Sequence, residues 1–365
     1  MRLQLIAAAI ASTATLSTAT ADPTDPDAVT SSFHVYADDD HVTVISPSTR
    51  VIAGLGPRTS LAVDATIDAV TGASVDVVSS ASPATVHERR VEIGTSVTRI
   101  LPVGAATSIA AGGQLSHEND YDAFRAFASA RAELAERNTT LALRYTAGHD
   151  IAHAVSLPSF RRTRNGHQLT ATLSQVLDTQ TVVDLIGDVA WSSGYHANPY
   201  RMVPVGMPGW PLPMLVDEVT PTRRASLAVA GRVRRAIVDD WFATSTYRFY
   251  VDDWSVTSHT ATVELFHQVA ERWLVGALGR GYLQDGAEFY RASYIATDEP
   301  PALRTRDRTL GPMRSLYLSA TVDTTVGPEW HLVLALGVLA SWFPEFPAQA
   351  ERRAVIATTS LSVPL

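Results

Sequence analysis

The sequence predicts an all-β fold: a transmembrane antiparallel up-and-down β-barrel of about sixteen strands. Three observations carry that expectation: a sustained period of two in hydrophobicity, a regular succession of turns, and tryptophans placed at strand ends. From Ser32 onward apolar and polar residues alternate, and the i, i+3, i+4 spacing of an amphipathic helix is not sustained anywhere. An even strand count with both ends on the short-turn side is the plan of a bacterial outer-membrane barrel.

The elements follow in order. Residues 1–21 carry Arg2, the apolar run LIAAAIA and the small-residue ending Ala19, Thr20, Ala21, which together read as a secretory signal peptide. Residues 22–31, rich in Asp and Pro, read as a flexible leader, and 32–365 as the barrel. Val183, Leu185, Val189 and Trp191 alternate with Asp184, Asp188 and Ser192, and Ala225, Leu227, Val229 and Val233 with Arg224, Ser226, Arg232 and Arg234. In the segment DDWFATSTYRFYVDDW, Trp241, Ala243, Tyr247, Phe249 and Val251 fall on one face, and Thr244, Thr246, Arg248, Tyr250 and Asp252 on the other. The same division recurs for Ala261, Val263 and Leu265 against Glu264, for Val275 and Ala277 against Arg272 and Arg280, and for Leu316, Leu318 and Val322 against Tyr317 and Thr321.

Short turns fall near Gly56, Pro102, Ala135, Leu177, Val238, Ala270 and Thr325, and alternate with long connections at 71–87, 147–166, 196–220 and 291–311. A soluble β-sandwich also shows period two, but its strands are usually shorter and its loops need not alternate in length. Trp241 and Trp254, thirteen residues apart, would stand about 33 Å apart along the membrane normal at ~3.3 Å per residue and ~40° tilt, enough to cross a ~25 Å apolar band. Trp241, Trp273 and Trp330 are therefore expected in one interfacial girdle, and Trp191, Trp254 and Trp342 in the other.

Composition narrows function. The chain has no Cys, which excludes disulfides and thiolate metal sites, and no run long and apolar enough for a helical span. All its basic side chains are Arg, and the net charge of −8 argues against a nucleic-acid partner.

The stretches YRFYVDDWSVTSHT (Tyr247 to Thr260), DVVSSASP (Asp76 to Pro83) and GYHANPYR (Gly194 to Arg201) resemble recurrent motifs of a family of bacterial outer-membrane barrels, domain of unknown function 3570. The resemblance spans essentially the whole chain after the signal and implies the architecture without a chemistry. Barrels of this class commonly end on an aromatic residue recognised by the assembly machinery, whereas this sequence ends in Leu365. It implies an outer-membrane location among phospholipid and lipopolysaccharide, and leaves the oligomeric state open.

Parity assigns Arg90, Glu92, Arg125, Arg131, Glu133, Arg144, Asp184, Asp188, Arg224, Arg232, Arg234, Arg248, Glu264, Arg272 and Arg280 to the lumen, because an Arg facing lipid at mid-bilayer costs ~2 to 4 kcal/mol. Such a lumen is either a charged, water-filled pathway or one closed by ion pairs or an inserted loop. His149, Asp150 and His153 in GHDIAH are spaced for a divalent metal only if that outer segment were helical, and a third close ligand is lacking. Asp38 to His41, and Asp252 with Asp253, could take surface calcium or be ordinary acidic turns. Adjacent Ser258 and His259 point to opposite faces, and no G-x-S-x-G element is present, which weighs against an embedded hydrolase. The loop Asn198 to Met214, rich in Pro, Gly and Met around Trp210, could plug the barrel, pack over its mouth or meet a partner. The functional expectation is a porin-like conduit for small polar solutes with no cofactor. The alternatives are a binding or structural barrel without transport and, behind it, a barrel-embedded hydrolase.

Overall fold

A computed structural model describes residues 27–71, 87–102, 107–327 and 329–365. The signal segment, the motif at Asp76 to Pro83 and the loop across 72–86 lie outside the described residues.

Up-and-down strands β1 (Ala28–Asp38), β2 (Thr43–Gly54), β3 (Thr59–Thr71), β4 (His87–Leu101), β5 (Thr107–His117), β6 (Tyr121–Leu134), β7 (Thr139–His153), β8 (Arg161–Asp178) and β9 (Thr181–Gly194) make the first part of the wall. Two short strands, β10 (Met202–Gly206) and β11 (Met214–Asp217), occupy the next connection. The wall resumes with β12 (Arg223–Val238), β13 (Trp241–Asp252), β14 (Thr257–Ala270) and β15 (Trp273–Gln284); after β16 (Tyr294–Ile295) it finishes with β17 (Met313–Val326), β18 (Trp330–Trp342) and β19 (Glu351–Pro364). Sixteen of these strands close into one antiparallel barrel, and β1 seals it by pairing with β19 from Ala28 against Pro364 to Asp38 against Ala354. Closure leaves no unpaired edge, which is why an all-strand wall can stand in hydrocarbon.

Alternation sorts the two faces as the period predicts. Leu115, Leu185, Val263 and Leu336 lie on the outer surface with more than half of their area exposed. Leu334 and Leu336 are not at the centre of any globule, so the sandwich reading is excluded. Many inward positions carry hydroxyls and charges instead, beside one buried apolar cluster that includes Tyr36, Val44, Tyr317 and Ile356. At the seam between β1 and β19, Thr30 meets Ser362 at 3.0 Å, Ser32 meets Ser360 at 2.9 Å and His34 meets Thr358 at 2.9 Å. Elsewhere inward rings lie on glycine: a Cβ on Gly112 would stand 2.6 Å from the ring of Phe127, and one on Gly276 2.5 Å from Phe266, so each aromatic fills the space its cross-strand partner leaves.

Three expectations need correction. The leader does not extend to residue 31, because 28–31 are already paired in β1. Connection length does not alternate strictly: every described connection on the rim of the termini is short, but the opposite rim also has tight turns at 39–42, 118–120 and 253–256. The segment 147–166 is not one long loop, since β7 continues to His153 and β8 begins at Arg161.

The remaining long connections form a cap on the loop rim. Strands β10, β11 and β16 make a small sheet in which Val205 pairs with Tyr294, joining the 195–222 connection to the 285–312 connection. Val203, Val205, Tyr294 and Ala296 form its apolar core, so the Pro- and Met-rich loop packs against its neighbour. Its tip remains outside, with Trp210 67% and Leu212 74% exposed.

Candidate functional site: a charged lumen beneath a pinned cap

Strand geometry fixes which inward side chains meet. Arg90 on β4 reaches Asp68 on β3, where the two stand opposite each other in the ladder, at 2.5 Å. Arg50 bonds Asp64 at 2.9 Å across β2 and β3, and Glu92 accepts from Gln114 at 2.5 Å. Arg131 meets Glu133 at 3.0 Å, and Arg144 lies over the ring of Phe127 at 3.6 Å. Asp184 takes Arg234 at 2.9 Å with Arg232 at 3.8 Å, while Asp188 accepts from Thr170 at 2.6 Å. Arg125, Arg248, Glu264 and Arg280 stand at inward ladder positions opposite Gln114, Thr260, Thr244 and Thr262.

Arg272 departs from its expected place. It lies in the turn before β15 and donates to the carbonyl of Gly327 at 3.4 Å, so it belongs to the rim of the termini rather than to the lumen wall. Four charged residues beyond those that parity assigned share this face: Asp68, Asp64 and Arg50, and Arg164, which holds Asp150 at 2.5 Å and donates to the Tyr121 hydroxyl at 2.9 Å. Their signal was present in the alternation of Leu61, Val63 and Ile67 with Asp64 and Asp68.

The GHDIAH residues do not converge. They lie on β7, where Asp150 points inward to Arg164 while His149 and His153 point outward, to Asn165 at 2.8 Å and Asp122 at 3.0 Å. Successive residues of a strand face opposite sides, so the helical spacing never arises. The acidic turns are engaged otherwise as well: Asp40 holds Arg308 and Gln349, Asp39 accepts from the Arg353 amide, and Asp38 accepts from the Val42 amide. Among the described residues no group of three or more His, Asp or Glu is placed to hold a metal ion. Ser258 is buried inside while His259 faces out and bonds Tyr247.

Trp191, Trp241, Trp273, Trp330 and Trp342 occupy outward positions near strand ends, Trp241 stacked on His267 at 4.3 Å. Tyr145 and His167 extend the band beside Trp191, their side chains 2.7 Å apart. Trp254 is the exception, being only 4% exposed. It lies in the turn after β13, donates its indole N–H to the Arg223 carbonyl at 2.8 Å, and packs edge-on against Phe289 and His196. A tight turn carried this ring over the wall into the cap, where burial of the indole replaces contact with the interface.

The cap is pinned by buried charge. Arg201 reaches Glu218 at 3.0 Å and Asp307 at 2.8 Å, all three nearly inaccessible. Glu218 also accepts from the Asn198 amide at 2.5 Å and from the Thr305 hydroxyl. Arg308 ties the same assembly to Asp40 and lies over Phe343 at 4.6 Å, so the cap reaches from β9 across to the β1–β2 turn.

His196 sits where cap and wall meet. Its Nε2 accepts from Ser192 Oγ at 2.7 Å when Nδ1 donates to the Gly194 carbonyl at 3.1 Å. Burial, then the nearby Arg164 charge, pushes its imidazole down to about 4. A lowered pKa means that the docked state prefers the neutral ring. The contribution is thus complete above about pH 6.5 and disappears as pH falls toward 4. Proteolysis of the 195–222 connection is expected to accelerate between pH 7 and pH 5, and His196→Gln to remove that dependence. An unchanged pH response in His196→Gln would assign it to another group.

Comparison with known proteins now adds a family. Residues 74–338 match the family described as protein of unknown function (DUF3570). The chain belongs to that family. No curated protein matches this DUF3570 member in sequence. Among solved structures it is similar to a bacterial polysaccharide outer membrane secretin, with a TM-score of 0.53 and 8% identity over 93% of this chain and 98% of that one. Lesser similarity is found to the CymD monoaromatic hydrocarbon channel (TM-score 0.46, 8% identity, 93% and 89% covered). The siderophore receptor PirA from Pseudomonas aeruginosa gives a TM-score of 0.46 and 8% identity, with 88% of this chain and 57% of that one covered. At such identities the likeness is one of fold, an outer-membrane type of barrel.

Proposed function

We propose that this DUF3570 member is an outer-membrane conduit for small polar solutes, with the termini rim in the periplasm and the capped rim outside. The observation that carries the reading is the inner face: a closed sixteen-strand wall is apolar outside, yet Arg232 and Arg234 keep 35% and 50% of their side-chain surface accessible within it. Barrels of sixteen strands are wide enough to leave an aqueous channel. In this reading Ser192 and His196, 2.7 Å apart, serve to dock the cap, and no bond-breaking step is assigned to them.

Planar-bilayer recording of refolded protein tests it, with discrete steps expected and the absence of current above background removing the conduit. Replacing Arg232 and Arg234 by Glu changes four charge units beside Asp184. The reversal potential in a salt gradient should shift toward cation preference. An unshifted potential would show that these two side chains do not line the path.

A further inference from the structure

Strands β12 to β15 carry an arrangement that transport of polar solutes does not by itself require. The ladder places Arg248, Thr260 and Tyr282 in one row, and Arg232, Thr246, Thr262 and Arg280 in the row nearer the termini rim. Strands repeat at about 4.8 Å, so Arg248 and Tyr282 stand roughly 10 Å apart at the backbone with a small hydroxyl residue between them. One row toward the cap come Tyr250, Ser258 and Gln284. The two outer strands thus repeat one motif: Arg, Tyr and an acceptor at alternate positions, as Arg248, Tyr250 and Asp252 on β13 and as Arg280, Tyr282 and Gln284 on β15. In each the phenol donates to the acceptor two residues on, at 2.8 Å and 2.5 Å. Between them β14 offers the short side chains of Ser258, Thr260 and Thr262 on the inner face.

Charge in this recess is uneven. Arg224 enters from β12 and holds Asp252 at 2.8 and 2.5 Å, and that carboxylate also accepts from Tyr250 and from the Trp254 and Val256 amides. Asp252 is therefore committed to the turn. Arg248 shares a row with Tyr282, and Arg280 precedes Tyr282 by two residues on the same face of β15, so two guanidiniums flank one phenol. Gln284 fixes the roof, donating to the carbonyls of Thr309 and Gly311 at 2.9 and 2.8 Å. With Arg224 balanced by Asp252, Arg248 and Arg280 give this part of the inner wall a positive potential.

We propose that this recess, formed by Arg224, Arg248 and Arg280 with Tyr250 and Tyr282 beneath the cap, binds small oxyanions bearing a carboxylate or phosphate group. Planar guanidiniums match the two oxygens of either group, and the positively charged, partly enclosed setting favours charge-assisted hydrogen bonds. The recess thereby names the solute class of the conduit. Its transport meaning rests on the conduit reading, whereas binding does not.

The test is calorimetric titration of the whole detergent-solubilised protein with inorganic phosphate and, separately, with succinate, at low salt on the order of 50 mM to limit screening. Saturable binding with a dissociation constant of about 1 mM or tighter is expected for at least one anion. Arg280→Gln should weaken it about tenfold, and Arg248→Gln with Arg280→Gln about a hundredfold, the scale of one and two charge-assisted contacts. Arg353→Gln removes the same charge from an exposed position outside the lumen and should leave the constant unchanged. Heat-modifiable mobility on gels checks that each variant is a folded barrel. Lack of saturable binding of both anions, or equal affinity in the double variant, overturns the recess. Binding without bilayer current retains the recess and removes the conduit; current without binding does the reverse.

Discussion

Replacing Arg201 by Leu is expected to release the cap while leaving the barrel folded. The guanidinium is shared by Glu218 and Asp307 in a site where none of the three is more than 8% exposed. Without it two carboxylates face each other in a poorly solvated pocket, and breaking a buried ion pair from one side costs about 3 to 5 kcal/mol. That range corresponds to exchange about two to four orders of magnitude faster for amides protected by the cap alone. The Asn198 and Thr305 amides, which donate to Glu218 and to the Tyr294 hydroxyl, are the reporters. Amides in the middle of β12 should be unaffected, because their partners are in the wall. Unaltered exchange at Asn198 and Thr305 would mean that the Val203, Val205 and Tyr294 core holds the cap without the ion pairs.

The second large effect concerns the membrane. Leu336 lies midway between Trp330 and Trp342 on β18, on the outer face and 59% exposed. Leu336→Arg places a charge at the centre of the apolar belt and should destabilise the barrel by about 2 to 4 kcal/mol in reversible denaturant unfolding from liposomes. Ala335→Arg, one residue away on the inner face opposite Thr321 and Thr358, reaches water and should cost markedly less. If both substitutions cost the same, the outer face would not be the lipid face.

The wall was legible because an apolar outer face and a more polar inner face impose a period on each strand, and period two is visible without knowing any partner. Asp184 and Arg234 fall on one face by parity alone, but their 2.9 Å contact depends on the β9–β12 register across the 195–222 connection, which parity does not supply. The cap was illegible for a related reason. Its strands β10, β11 and β16 are two to five residues long and lie outside any belt, so no period marks them. Trp254 shows the limit of the interface argument: it lies in the turn two residues beyond β13, next to Ser255 with φ of 69°, and is buried in the cap. His149 and His153 misled through spacing, since the i, i+4 relation that clusters ligands on a helix puts them too far along a strand.

The seam between β1 and β19 has a bearing on how the molecule forms. Thr30 and Ser362 are 332 positions apart, and beside the backbone ladder the two strands are joined by side-chain hydrogen bonds from Thr30, Ser32 and His34 to Ser362, Ser360 and Thr358. No other pairing in the wall spans such a length, so the closing step brings together the most distant partners and is expected to be slow for entropic reasons. Until it happens the curled sheet exposes two borders at once, each able to recruit a foreign strand. The ring is therefore topologically all-or-none, and β1 and β19 are where a partly zipped form would remain open.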